Sequence, residues 1–92
     1  MPPRTSAEAL AEAQRIARSS GVFLLSIHAR QRMRERGVQR EDIRVAILNT
    51  PTCVHQPDAA GPWRLEGGTD RAGDPLAMIL SFESGMLIVT VF

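Results

Sequence analysis

The spacing of apolar residues changes near Thr50. Before it they recur every three or four positions. After it they alternate or run in short continuous stretches. The first half is therefore expected to be helical and the second half strand-rich. Ala9, Leu10, Ala13, Ile16 and Ala17 form a helical stripe over Ser6–Arg18. Thr5-Ser6-Ala7-Glu8 opens it as a capping box with Thr5 as N-cap, and Ser19-Ser20-Gly21 ends it. Val22-Phe23-Leu24-Leu25 is too short for periodicity to separate a strand from an extended, buried entry to the next helix. Ser26 then serves as N-cap of a second helix that stops at Gly37 in a left-handed cap. Val38 and Ile43 take the two positions of a hydrophobic staple around Gln39, the N-cap of a third helix. Glu41 and Asp42 fall in its first turn, where the helix dipole favours anions. Ile43, Ala46 and Ile47 are its apolar stripe, and Asn49-Thr50-Pro51 stops it.

Four strands are expected beyond that point: Thr52–Gln56, Trp63–Glu66, Leu76–Phe82 and Met86–Phe92. Residues 57–62 read as a loop and residues 67–74 as a long glycine-rich turn. Glu83-Ser84-Gly85 reads as a hairpin turn. The last two strands are apolar on both faces, which suits central positions in a sheet. The expected fold class is α+β: two to three N-terminal helices packed on a C-terminal antiparallel sheet of about four strands. Residues 1–92 make one small domain, with residues 1–5 frayed.

Composition narrows the setting. Apolar residues make up 43% of the chain, ordinary for a globular protein. The net charge of +1 excludes a strongly basic DNA-coating protein. The charge is uneven, however. All 11 basic residues are arginine; seven lie from Arg15 to Arg40, and five of those from Arg30 to Arg40. The single cysteine, Cys53, cannot form an internal disulfide and reads as a small buried hydrophobe in a reducing compartment. The N-terminus lacks signal-peptide character and no apolar run approaches a membrane span, so a soluble, cytoplasmic protein without membrane contact is expected.

The chemistry-bearing residues concentrate in Ser26–Gly37. With His28 at the origin of a helical wheel, Arg32 falls at about 40° and Arg36 at about 80°. Ala29 and Met33 follow at about 100° and 140°, so the His/Arg row borders the apolar stripe. Arg30 and Arg34 point elsewhere, towards solvent. Arginine forks bind phosphate in bidentate geometry. The positive helix end disfavours protonated His28, and a neutral histidine is a competent general base. The plainer alternatives are a capping or packing role for His28 and ion pairs of Arg32 and Arg36 with Glu35, Glu41 or Asp42. If the row is a site, His28 and Arg32 share one phosphate. Arg36 then takes a neighbouring phosphate or supports the site through Glu41 or Asp42.

Other residues extend the list. Thr90 is the lone polar residue of the final strand and is expected on the side of Ile88 and Phe92. It is either a site residue or a β-branched residue with a satisfied hydroxyl. Trp63-Arg64 pairs an aromatic plane with a cation and suits a substrate base, although tryptophan is more often a core anchor. His55 is a candidate second acid or base, and Asp70 and Asp74 read as turn residues. No metal-ligand spacing, P-loop, dinucleotide fingerprint or G-x-S-x-G elbow is present, so neither metal nor cofactor is expected.

Ser26-x-His28-Ala29-x-x-Arg32-Met33-x-x-Arg36-Gly37-Val38 is followed by Asp42-Ile43, Ala46-Ile47, Trp63-Arg64-Leu65-x-Gly67 and Val89-Thr90-Val91-Phe92. Over residues 24–92 this set resembles the small bacterial family catalogued as domain of unknown function 4258 (DUF4258). That family looks related to the RelE/ParE-like toxin fold and its group of small ribonucleases. The resemblance implies helices on an antiparallel sheet and metal-independent RNA cleavage, with a small antitoxin or immunity protein as partner. It places active-site roles on His28, Arg32, Arg36 and Thr90. Two departures stand out: the chain is near neutral, and its final strand carries no Arg, Lys, Tyr or His. An endoribonuclease of this toxin-like kind is the first expectation. A non-catalytic protein- or nucleic-acid-binding module using the arginine-rich helix is the alternative.

Overall fold

The first helix, α1 (Ser6–Ser19), starts at the expected capping box. Glu8 N–H donates to Thr5 Oγ1 (3.1 Å), and Thr5 N–H donates to Glu8 Oε1 (3.0 Å). A computed structural model of the chain describes residues 3–19, 22–56, 61–82 and 85–92. The fraying expected at residues 1 and 2 lies outside these. Arg4 and Thr5 are held, both backbone N–H groups donating to Glu8. Ser20-Gly21, the loop residues 57–60 and Glu83-Ser84 of the expected turns also lie outside the described residues.

The remaining elements are β1 (Leu24–Leu25), α2 (Ile27–Arg36), α3 (Arg40–Asn49), β2 (Thr52–His55), β3 (Trp63–Glu66), β4 (Met78–Ser81) and β5 (Leu87–Val91). Three helices and a five-stranded sheet make an α+β fold, helices first and sheet last. The strand order is β1-β5-β4-β3-β2. β2 to β5 form the expected antiparallel meander. The fifth strand is the run that periodicity left undecided. β1 pairs parallel to β5, with Leu24 N–H donating to Met86 O (2.9 Å) and Ser26 N–H to Ile88 O (3.0 Å). Two residues therefore cover part of an edge that the final strand otherwise leaves open. Arg40 anchors the approach to β1, donating to Phe23 O (2.6 Å) with its guanidinium 4.2 Å above the Phe23 ring.

Register defines the two sheet faces. Leu65, Met78 and Val91 pair across β3, β4 and β5, and so do Trp63, Leu80 and Ile88. These six are buried in one cluster with Ala29 and Met33 of α2, Ile43, Ala46 and Ile47 of α3, and Ala9, Ala13 and Ala17 of α1. The alanines of α1 let its backbone approach α3 closely. β5 carries a bulge: Leu80 faces Ile88 while the adjacent Ile79 faces Thr90, leaving Val89 as the additional residue. Thr90 consequently shares the outer face with Ile79 and Arg64 rather than lying beside Ile88, which corrects the simple alternation. β4 is shorter than expected because Leu76 is a buried loop residue, its N–H donating to Gly68 O (2.9 Å).

The ends of α3 fix the long turn. Gln39 N–H donates to Asp42 Oδ2 (2.9 Å), and Asp42 Oδ1 accepts from Arg71 Nε (2.9 Å). Arg71 and the Gln39 backbone N–H hold the Asp42 carboxyl well below the usual carboxylate range. At the other end Asn49 pairs with the backbone of Thr69 through both amide atoms, at 2.9 and 2.8 Å. Gly68 packs so tightly there that a Cβ would lie 2.7 Å from Ala46 O. Among the described residues, no helix is long and apolar enough to cross a membrane.

Candidate functional site

The two helix caps that the sequence predicts position α2. Ser26 Oγ accepts from Ala29 N–H (2.9 Å) and donates to Val89 O (2.6 Å). One hydroxyl thus caps the helix and ties its first turn to the edge of β5. Gly37 closes the helix at φ 68°, a conformation that suits glycine. Val38 N–H donates to Met33 O (2.8 Å) across this cap. Ala29 and Met33 face the core.

The row from His28 to Arg36 runs along the flank of this stripe, but its members differ. His28 is exposed, and among the described residues no hydrogen bond, ion pair or ring contact holds its imidazole. Arg32 is half-buried, with Nε 3.5 Å from Val91 O. Arg36 is exposed and reaches Pro75 O (3.3 Å). The wheel put Arg36 nearest the apolar stripe. Burial along α2 ends at Met33, however, so its last turn projects past the core and Arg32 is the better buried of the two. The anticipated support of Arg36 by Glu41 or Asp42 is absent because Glu41 pairs with Arg44 and Asp42 with Arg71.

Thr90 is buried at the same strand end, and its hydroxyl also lies 3.5 Å from Val91 O. Arg32 and Thr90 thus meet at one carbonyl oxygen, which β5 presents just beyond the reach of the two-residue β1. Phe92 follows, 37% exposed, with the Arg64 guanidinium 4.6 Å above its ring. Arg64 Nε also lies 2.5 Å from Glu66 Oε1. Arg64 is separated from Thr90 by two strand spacings, about 10 Å. The α2–β5 corner therefore joins an anchored guanidinium and a hydroxyl; His28 stands one helical turn along α2, and Arg64 with the Phe92 ring lies on the outer sheet face.

Two pairings that the sequence left open are not formed. Trp63 and Arg64 are neighbours on one strand and point to opposite faces. Trp63 is 4% exposed and stacks on His55 with ring centroids 4.5 Å apart, so it anchors the core rather than clamping a base with Arg64. His55 lies on β2, at the edge of the sheet opposite to β1, and does not join His28. Asp70 is a turn residue, its Oδ1 accepting from Ala72 and Asp74 N–H at 2.9 Å. Asp74 lies in the same turn. Burial pushes the half-buried Cys53 thiol up to about 11, leaving it a poor nucleophile. Among the described residues, no three His, Cys, Asp or Glu side chains are grouped to hold a metal ion.

Sequence reasoning missed the link from Ser26 to Val89 and the place of Phe92 beside Arg64. The outward alternation of Arg64 and the C-terminal aromatic carried a signal for the second. Nothing local carried the first. The family model described as "Domain of unknown function (DUF4258)" matches residues 25–92, a span that includes every residue of this corner. No curated protein and no solved structure matches the chain.

Proposed function

Starting from a chain that belongs to the DUF4258 family, we propose that this member binds RNA at the α2–β5 corner and cleaves a phosphodiester there without a metal. The observation that supports this reading most is the meeting of Arg32 and Thr90 at Val91 O, one helical turn from an exposed, unengaged His28. Among the described residues Arg32 spends only Nε on the protein. Its two terminal amino groups remain to hold phosphate oxygens, and the anchored Nε fixes their direction. In the reaction His28 accepts the proton of a ribose 2′-hydroxyl. The 2′-oxygen forms a bond to phosphorus, the bond from phosphorus to the 5′-oxygen breaks, and that oxygen takes a proton from water, which the proton held by His28 then replaces, leaving the imidazole neutral again. The products are a 2′,3′-cyclic phosphate and a 5′-hydroxyl. Arg32 stabilises the charge that builds on the phosphate oxygens, while Phe92 and Arg64 receive the flanking nucleotide. The test is degradation of single-stranded RNA in EDTA by the wild type and by His28→Ala. The wild type should be faster by about 10²–10⁴. Equal activity in both proteins removes the catalytic reading.

One observation favours a second reading, RNA binding without turnover. A two-histidine acid/base pair is not assembled, because His55 is stacked on Trp63 at the far sheet edge. In that case RNA is retained by the wild type with no cyclic phosphate product, and binding weakens as salt rises.

A further inference from the structure

On the opposite flank of Met33, Arg30, Met33, Arg34 and Val38 line an open cavity of about 420 Å³. Met33 and Val38 supply its apolar lining and are 8% and 9% exposed. Arg30 and Arg34 stand at its rim one helical turn apart, both exposed. Among the described residues neither side chain has a hydrogen bond, an ion pair or a ring contact. Other arginines of the chain are committed: Arg15 to Glu12, Arg44 to Glu41, Arg71 to Asp42, and Arg40 to Phe23. Ile27, 85% exposed, continues the same helical stripe one turn before the pair.

We propose that this surface docks an acidic protein segment, a short helix that sets one apolar side chain into the cavity and a carboxylate on each side of it. Charge complementarity selects this occupant. Residues four apart on a helix have Cβ atoms about 6 Å apart, so two carboxylates at the same spacing on a partner helix meet Arg30 and Arg34 as forked, charge-assisted pairs. The apolar lining takes an aliphatic or Met side chain, and Met33 adapts its shape to it. Nucleic acid fits this surface less well, because the cavity has no aromatic plane for a base and its lining is aliphatic. Pairing along the neighbouring edge strand is also a poor route, since β1 has only two residues and offers few backbone groups. Docking therefore proceeds through side chains. Arg30 and Arg34 each sit about 160° around the helix from Arg32, so the surface is separate from the α2–β5 corner and does not depend on the RNA reading.

The test is selection of displayed random peptides of about 12 residues on the full chain, followed by affinity measurement with the selected peptides as probes. Enriched peptides should carry Asp or Glu three or four positions apart around Leu, Ile, Met or Phe. Their affinity should fall at least about tenfold for Arg30→Glu/Arg34→Glu and by a smaller factor for Arg30→Gln/Arg34→Gln. Both variants alter exposed side chains without partners and should melt with the wild type, which separates lost binding from lost folding. Arg32→Ala should leave peptide affinity unchanged. The proposal is overturned by no enrichment, by selected peptides that lack acidic residues, or by equal binding to the Arg30→Glu/Arg34→Glu protein. It is also overturned if that variant loses affinity for a single-stranded RNA probe instead, which would make the surface a nucleic-acid site.

Discussion

Replacing Arg32 separates the two roles that the corner gives it. Its Nε contact to Val91 O is long, at 3.5 Å, so its loss costs about 0.5 kcal/mol, the low end for a protein hydrogen bond. The half-buried stem adds about 1 kcal/mol from one or two methylenes. Arg32→Ala should therefore destabilise the fold by about 1.5 kcal/mol and lower Tm by about 6–12 °C. Arg32→Met keeps the apolar stem and removes the fork, so its Tm should fall by only about 2–4 °C. Both variants should lose about 10²–10³ in the rate of RNA cleavage, because neither can hold the charge forming on a phosphate. Arg32→Lys keeps a charge but no fork and should not restore the rate. The assays are thermal unfolding by circular dichroism and single-turnover cleavage in EDTA, on the same preparations. An active Arg32→Met protein would refute the phosphate role. An Arg32→Ala protein that fails to fold would show that sealing the β5 edge is the main task of this residue.

Ser26→Ala should cost about 1–3 kcal/mol in urea unfolding, because one hydroxyl both caps α2 and satisfies Val89 O at 2.6 Å. Asp42 should make the protein acid-labile. Its carboxyl is depressed in the fold from an ordinary value of 3.8, so the stability it contributes is complete above that value and is lost as pH falls towards the lower folded value. Unfolding midpoints from pH 5 to pH 2 should fall more steeply for the wild type than for Asp42→Asn, and parallel curves would contradict the assignment.

Local signals revealed most of the helical half. Ser26 and Gly37 bound α2 because a hydroxyl cap and a left-handed glycine act within one turn. Asp42 was legible as a first-turn acid, whereas its pairing with Arg71 was not, because 29 residues separate them. β1 stayed ambiguous because four apolar residues fit a strand or a buried turn equally well, and only the open edge of β5 decides between them. The bulge at Val89 escaped for a related reason. β5 is apolar on both faces, so an additional residue breaks no visible pattern, yet it moves Thr90 to the other side of the sheet. The His/Arg row was legible as a helical face. Which member is anchored depended on where the core stops under α2.

The most direct test of the corner as an RNA site is an NMR titration of ¹⁵N-labelled protein with a short single-stranded RNA, following the arginine Nε–Hε signals. The account predicts saturable shifts at Arg32 and Arg64, accompanied by the backbone amides of Thr90 and Phe92, with Arg30 and Arg34 still. RNA binding that leaves Arg32 unmoved, or that shifts Arg30 and Arg34 instead, would contradict it.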